Sequence, residues 1–426
     1  MIQSFKKIKR INGSLKFQGD KSISHRALLI SSLADGKSII NNLSEGDDVN
    51  STINCLKVLG IEVDLKKNDC TIKGKGFKGY EKSSEALYAG NSGTTARLLS
   101  GILAAQNFDS VIKGDNSLSL RPMKRIIEPL VQMGAIIKSE NENRLPLRIF
   151  PSEKLKSINY SMPVASAQVK SAILLAGLHL DEQTSVIETK LTRNHTENLL
   201  GLNVVKENDK IVSSVSLKNY PEPKEYFIPG DISSAMFFIV LALLTKNSEL
   251  IIKEISLNPS RIECLNILKK MGGNIQIEKT GVSNNEIFGD VVVKSSDLKN
   301  VKISKEVVPL IIDEIPILTI AGIFAEGVFE LRNASELRVK ESDRIKSICK
   351  NLLKTDLIVE EFNDGFRIDG ALRKVTGLFE SYNDHRIAMA FAILSSLIGE
   401  GAKVNGFECV SVSNPEFLKQ LYSIVN

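Results

Sequence analysis

Basic side chains recur at one kind of place in this sequence. Lys21, Arg26, Arg97, Arg121, Lys170, Arg193, Lys340, Arg344 and Arg386 stand in or beside short polar heads, most of which open apolar stretches. The first is "GDKSISHRALLISSLADG", where Lys21, His25 and Arg26 precede a run of aliphatic residues. A helix start already carries partial positive charge and unpaired N–H groups, so it favours anions. Cations gathered there either point into water or share an anion with the helix end. Phosphate and carboxylate groups meet that requirement, because Lys and Arg hold them through charge-assisted, often bidentate hydrogen bonds. Acids accompany the cations. Asp313 and Glu314 interrupt "VVPLIIDEIPILTIAG", and Glu341 lies between Lys340 and Arg344 in "RVKESDR". Carboxylates flanked by such hydrophobes are rarely buried without a partner. A carboxyl group whose pKa balances burial against two cations is also a candidate proton carrier.

The elements that position these residues repeat. Heads begin near residues 20, 91, 166, 231, 313 and 384, a spacing of about 70 residues, and internal periodicity of this kind sets the architecture. Each head leads into a tail that is apolar nearly all round, which predicts a buried helix. A β-branched run follows, as in "KSII", "TSVIET" and "ELIIKEI". In several units an amphipathic helix then ends at glycine, as at Gly201 and Gly272, where a left-handed C′ residue is needed. Each unit reads helix–strand–helix–strand–strand, an α/β plan with helices inside and mixed sheets outside. The units divide three and three, with "PGD" at 229–231 as the hinge. The expected domains are 14–229 and 1–13 plus 230–426, with "SFKKIKRI" supplying a missing strand so that the chain closes on itself. The heads of the two domains would then face each other across an anion-binding cleft. Any single head also reads as ordinary capping material: "SIS" and "SGTT" cap helices everywhere.

Composition narrows the partners. Over 426 residues, 42% are hydrophobic and 25% charged, the balance of a globular protein long enough for two domains. Trp is absent and aromatics are 6%, and a net charge of +5 is modest, so nucleic acid is not the expected partner. The longest apolar runs are too short to span a membrane. No signal peptide is evident, and five scattered cysteines without metal-ligand spacing suit a reducing cytosol, so a cytoplasmic protein is expected.

"GDKSISHRA", "GNSGTTARLL", "SLRPMKR", "ASAQVKSA", "RVKESDR" and "YNDHRIAM" resemble, in order and spacing, the motifs of the 5-enolpyruvylshikimate-3-phosphate synthase family, and look closer to its bacterial second-class branch. The resemblance runs from about residue 15 to 420. It implies a two-domain inside-out α/β barrel, each domain three βαβαββ repeats with buried parallel helices and outer mixed sheets. The implied reaction moves the enolpyruvyl group of phosphoenolpyruvate to the 5-hydroxyl of shikimate 3-phosphate, without metal or cofactor, in a monomer. By resemblance, Lys21 touches both substrates. Ser22, Arg26, Ser166, Ala167, Gln168, Arg193, Asp313 and Lys340 hold shikimate 3-phosphate. Gly93, Arg121, Gln168, Arg344 and Arg386 hold phosphoenolpyruvate. Asp313, Glu341 and Lys21 carry the acid–base chemistry, with Glu341 as proton donor. Three positions depart from relatives: Val412 where some have Lys, Ala167 where another branch has Ser, and Glu336 where some have Asn. The alternative is the sister reaction on UDP-N-acetylglucosamine. Its mobile-loop Cys, sometimes Asp, precedes Arg-Pro, and the corresponding "KGDNSLSLRPMKR" has Asp115 but no Cys.

Overall fold

The computed structural model describes residues 1–425 apart from 373, 374, 376 and 377. Contacts divide the chain into two compact units. The N-unit comprises Gln18–Pro229 and Val282–Glu286; the C-unit comprises Met1–Phe17, Gly230–Gly281 and Ile287–Asn426. Each has its own hydrophobic core.

The six apolar tails form six buried helices: α1 (Lys21–Leu33), α2 (Gly93–Leu103) and α3 (Ala167–Gly177) in the N-unit, then α4 (Ile232–Leu244), α5 (Ile315–Phe324) and α6 (His385–Leu397) in the C-unit. Every residue from Ile232 to Leu243 is buried, as an all-round apolar sequence requires. Side-chain caps fix where five of them begin. Asp20 accepts from the Ile23 N–H, Ser92 from Thr95, Ser166 from Val169, Asp231 from Ser233 and Asp384 from Arg386. In α5 no side chain caps the start, and Pro316 in the first turn sets it instead. Helices α2 and α3 pack so closely that a Cβ on Gly101 would lie 2.1 Å from the Ala172 carbonyl oxygen.

In the N-unit each sheet has four strands with one parallel and two antiparallel pairings. Asn159–Ser161 lies parallel to Thr184–Glu188, which pairs antiparallel with Lys210–Val215, and that strand pairs antiparallel with Val204–Glu207. Leu87–Tyr88, Ser110–Lys113, Arg144–Phe150 and Ile136–Asn141 repeat the pattern. The third sheet follows it too, but its parallel strand beside Asp35–Asn41 is Glu225–Phe227, not the strand before α1. That earlier strand, Asn12–Lys16, pairs instead with Glu249–Ser256 in the C-unit. The two parallel strands are thus exchanged at the two chain crossings, which is why the C-unit extends to Phe17 rather than stopping at residue 13.

The C-unit sheets have four, three and three strands among the described residues. In the fifth repeat the parallel first strand is reduced to a bridge between Lys299 and Glu326. In the sixth, Ile2–Phe5 runs antiparallel to Ala402–Asn405, so the chain start completes the last repeat, a few residues before most of the expected "SFKKIKRI". Among the described residues no helix is long and apolar enough to cross a membrane.

Candidate active site

In the N-unit the starts of α1, α2 and α3 are tied together by polar side chains. The Gln168 Oε1 accepts from Arg97 Nη1 at 2.6 Å, and its Nε2 donates to Thr94 Oγ1 at 2.9 Å. His25 Nδ1 lies 2.7 Å from Thr52 Oγ1, which lies 2.6 Å from Thr95 Oγ1. The heads therefore meet at one end of the unit, and the three helices point their N-termini the same way. Ser22, Arg26, Gly93, Ser166, Ala167, Gln168, Arg121, Arg193 and Lys21 all belong to this end.

Neutral groups brace Arg26 here. Arg26, only 3% exposed, donates from Nε to Thr196 Oγ1 (2.8 Å), from Nη2 to Ser171 Oγ (2.8 Å) and from Nη1 to the Ser22 carbonyl (2.9 Å). One N–H on each Nη is left over from these three bonds. Burial, with Arg193 nearby, lowers the Arg26 pKa to about 10 despite Glu197. Arg193 donates to Ser22 Oγ at 3.3 Å, and Arg121 to Asn91 Oδ1 at 2.5 Å. Lys21 differs: its ammonium is 2.9 Å from Asp48 Oδ2. A Cβ on Gly93 would stand 2.8 Å from Arg97 Nη1, so glycine keeps this helix start open beside the arginine.

Lys170 does not belong with the basic residues of this surface. It is 1% exposed, bonded to Glu188 and 2.7 Å from Glu197. The register that places Gln168 at the helix end turns Lys170 inward, and two glutamates neutralise it there. Asp115 caps the turn Asn116–Ser119 by accepting from the Leu118 N–H at 2.7 Å.

The C-unit head is built differently. Asp313, in the turn before α5, lies 3.4 Å from Arg344 Nη1, 3.8 Å from Arg386 Nη2 and 3.9 Å from Lys340 Nζ. Arg386 also donates to the Asp313 carbonyl at 3.1 Å. Arg344 is 1% exposed and opens the helix Arg344–Leu352. Its Nη2 lies 2.5 Å from Glu341 Oε2, and its Nε 2.8 Å from Asp384 Oδ2. Burial works against its charge, but Asp384, Glu341 and Asp313 outweigh that and hold its pKa above the ordinary arginine value. All five predicted residues here, Asp313, Lys340, Glu341, Arg344 and Arg386, fall in one cluster. Asp384 caps α6 and is also the carboxylate that fixes Arg344. Its position two residues before Arg386 was the available signal. Glu188, Glu197, Thr196 and Asp48 carried no such signal, because their partners are distant in sequence. Val412 ends the 3₁₀ segment Phe407–Val412.

Comparison with known proteins agrees with this arrangement. The family described as EPSP synthase (3-phosphoshikimate 1-carboxyvinyltransferase) matches residues 5–421. A 3-phosphoshikimate 1-carboxyvinyltransferase of Petrotoga mobilis is 47% identical over 414 residues, covering 96% of this chain and 95% of that protein. One from Aquifex aeolicus is 43% identical with both chains covered in full. A solved EPSP synthase of Acinetobacter baumannii superposes with a TM-score of 0.87 at 38% identity, covering 100% of this chain and 98% of that one. The enolpyruvyl transferase NikO of Streptomyces tendae shares the fold, with a TM-score of 0.75 at 13% identity over 99% of this chain and 97% of that one. Two mixed α/β units with buried helices, polar heads gathered at their ends and a match across nearly the whole length lead to one assignment: the chain belongs to the EPSP synthase family.

Proposed function

We propose that the protein transfers the enolpyruvyl group of phosphoenolpyruvate to the 5-hydroxyl of shikimate 3-phosphate, releasing phosphate. The observation that carries the reading is the cluster at Asp313: one carboxylate within reach of Lys340, Arg344 and Arg386, with Glu341 on the same arginine. Binding anions alone gains nothing from acids placed among the cations. Proton transfer needs them.

The roles follow from the chemistry. Asp313, or Lys21 after losing a proton, takes the proton of the 5-hydroxyl while that oxygen bonds to C2 of phosphoenolpyruvate. Glu341 gives a proton to C3. Arg344 holds Glu341 through a contact of 2.5 Å. The phosphoenolpyruvate carboxylate competes for Arg344, loosens that hold and lets Glu341 carry the proton. The tetrahedral adduct then returns a proton from C3 and breaks the C2–O bond to phosphate. Arg121, Arg344 and Arg386 stabilise the departing anion, and Gly93 leaves room for it at the start of α2. Lys21, Ser22, Arg26, Ser166, Ala167, Gln168 and Arg193 hold shikimate 3-phosphate. The enzyme works as a monomer in the cytoplasm, and a sedimentation mass of one chain is expected.

Phosphate release measured with each substrate alone and with both tests the reading. Release should require both. No release with the pair, or turnover only when UDP-N-acetylglucosamine replaces shikimate 3-phosphate, overturns it.

A further inference from the structure

The strands Asn274–Ser283 and Glu286–Lys294 form a hairpin that turns at Asn284 and Asn285, both at positive φ (48° and 64°). Its stem belongs to the C-unit, but residues 282–286 belong to the N-unit. The tip is held there by several bonds. Ser283 Oγ accepts from the Phe227 N–H at 3.1 Å, and the Asn284 and Asn285 amides each donate to a carbonyl at 3.0 Å, on Glu225 and Asn198. Glu286 Oε1 accepts from Asn198 Nδ2 at 3.1 Å and lies 2.8 Å from His195 Nδ1, with Glu286 and His195 both fully buried.

A hairpin tip does not need a buried carboxylate, and burying one is costly unless its partners are well placed. What Glu286 holds lies in the helix His195–Leu200. Two of the residues just before and within its first turn are Arg193 and Thr196. Arg193 bonds to Ser22, and Thr196 accepts from Arg26 while lying 2.7 Å from Ser171 Oγ. One carboxylate therefore pins the segment that orients Ser22 and Arg26. Its charge also reaches Arg26, where burial is opposed by Glu197, Asp20 and Glu286.

We propose that Glu286, from the C-terminal half of the sequence, is a positioning residue for the phosphate of shikimate 3-phosphate. It acts by fixing the segment 193–196, and so Arg26 and Ser22. This rests on the function proposed above.

The test is steady-state kinetics of Glu286→Ala, Glu286→Gln and Thr196→Val. Glu286→Ala and Thr196→Val should raise KM for shikimate 3-phosphate about 10-fold, the scale of one hydrogen bond to a charged group, with kcat and KM for phosphoenolpyruvate within about 2-fold. Glu286→Gln keeps an acceptor for His195 and Asn198 and should recover most of the loss. Thr196→Val keeps the side-chain shape, so it carries the test if Glu286→Ala does not fold. Unchanged KM for shikimate 3-phosphate in Thr196→Val, or equal losses for both substrates, overturns the proposal while leaving an active wild type. A wild type that turns over neither substrate brings down the function reading and this inference together.

Discussion

The two polar heads differ in how their arginines are held. In the N-unit, Arg26 is braced by hydroxyls and a carbonyl, and Arg97 and Arg193 bond to Gln168 and Ser22. Such partners fix geometry without cancelling charge, and on Arg26 they leave one N–H on each Nη for an anion. Acids that meet a cation there are Glu188 and Glu197, behind the surface on Lys170, and Asp48 on Lys21. In the C-unit, Lys340, Arg344 and Arg386 are fixed by Asp313, Glu341 and Asp384, three cations against three acids. A balanced cluster binds an anion less strongly but places carboxyl groups where protons can move. In the proposed function this difference would give the first head mainly binding and the second mainly proton transfer.

The sharpest way to break this division is Asp313→Asn. The amide keeps the shape but can take no proton, and it leaves three cations less compensated. Turnover should fall about 10²–10⁴-fold, the usual weight of a general acid or base, with a smaller change in KM for shikimate 3-phosphate. Single-turnover phosphate release checks it. A loss below about 10-fold would place the base elsewhere and blur the contrast between the heads.

A second contrast is in acid stability. His25 and His179 lie in the N-unit, and burial lowers both pKa values; that of His179 falls from 6.5 to about 4. His179 Nδ1 meets the Leu175 carbonyl, while Nε2 is buried without a partner and the ring packs against Phe77 and Tyr220. Between pH 6.5 and 4 the unfolded chain holds this proton and the folded one does not. Stability is therefore complete above the unfolded value and is lost as pH falls toward the folded one. The loss approaches about 3 kcal/mol for His179 alone. Urea unfolding at stepped pH should show this loss, and His179→Phe should flatten the profile. An unchanged profile would mean that acid sensitivity comes from elsewhere, such as the carboxylates of the C-unit head.

How far the sequence reaches is shown by these same residues. The six heads were legible because caps, apolar tails and β-branched runs are local signals, and all six tails became buried helices. The exchange of Asn12–Lys16 and Glu225–Phe227 was not, since nothing local marks which of two parallel strands a sheet will accept. At the site, the cluster around Asp313 was readable from acids set among hydrophobes and cations. The partners Thr196 on Arg26 and Glu286 on His195 join residues 170 and 91 positions apart, and such pairings are fixed only when the core closes.

Smaller effects refine the contrast. Arg26→Gln removes a cation that neutral groups brace, so the loss should fall on binding. KM for shikimate 3-phosphate should rise about 10–100-fold, matching about 1.5–3 kcal/mol for a hydrogen bond to a charged group, with kcat changed little. A fall in kcat alone would move Arg26 into the chemistry and weaken the division.

Ser92→Ala should have the least effect. Ser92 is fully buried and accepts from the Thr95 N–H at 3.1 Å and from Thr95 Oγ1 at 2.8 Å, one residue before Gly93. Losing a cap costs about 1 kcal/mol, which in a unit of this size lowers Tm by about 2–4 °C. At a temperature well below the transition both KM values should stay near wild type, because the contact proposed for the anion is the helix end at Gly93 rather than the serine hydroxyl. A selective rise in KM for phosphoenolpyruvate would show instead that the cap, by fixing the first turn of α2, sets the direction of the N–H groups facing that substrate. The N-unit head would then bind through oriented backbone as much as through its arginines, and the contrast with the C-unit would lie in geometry as well as in charge.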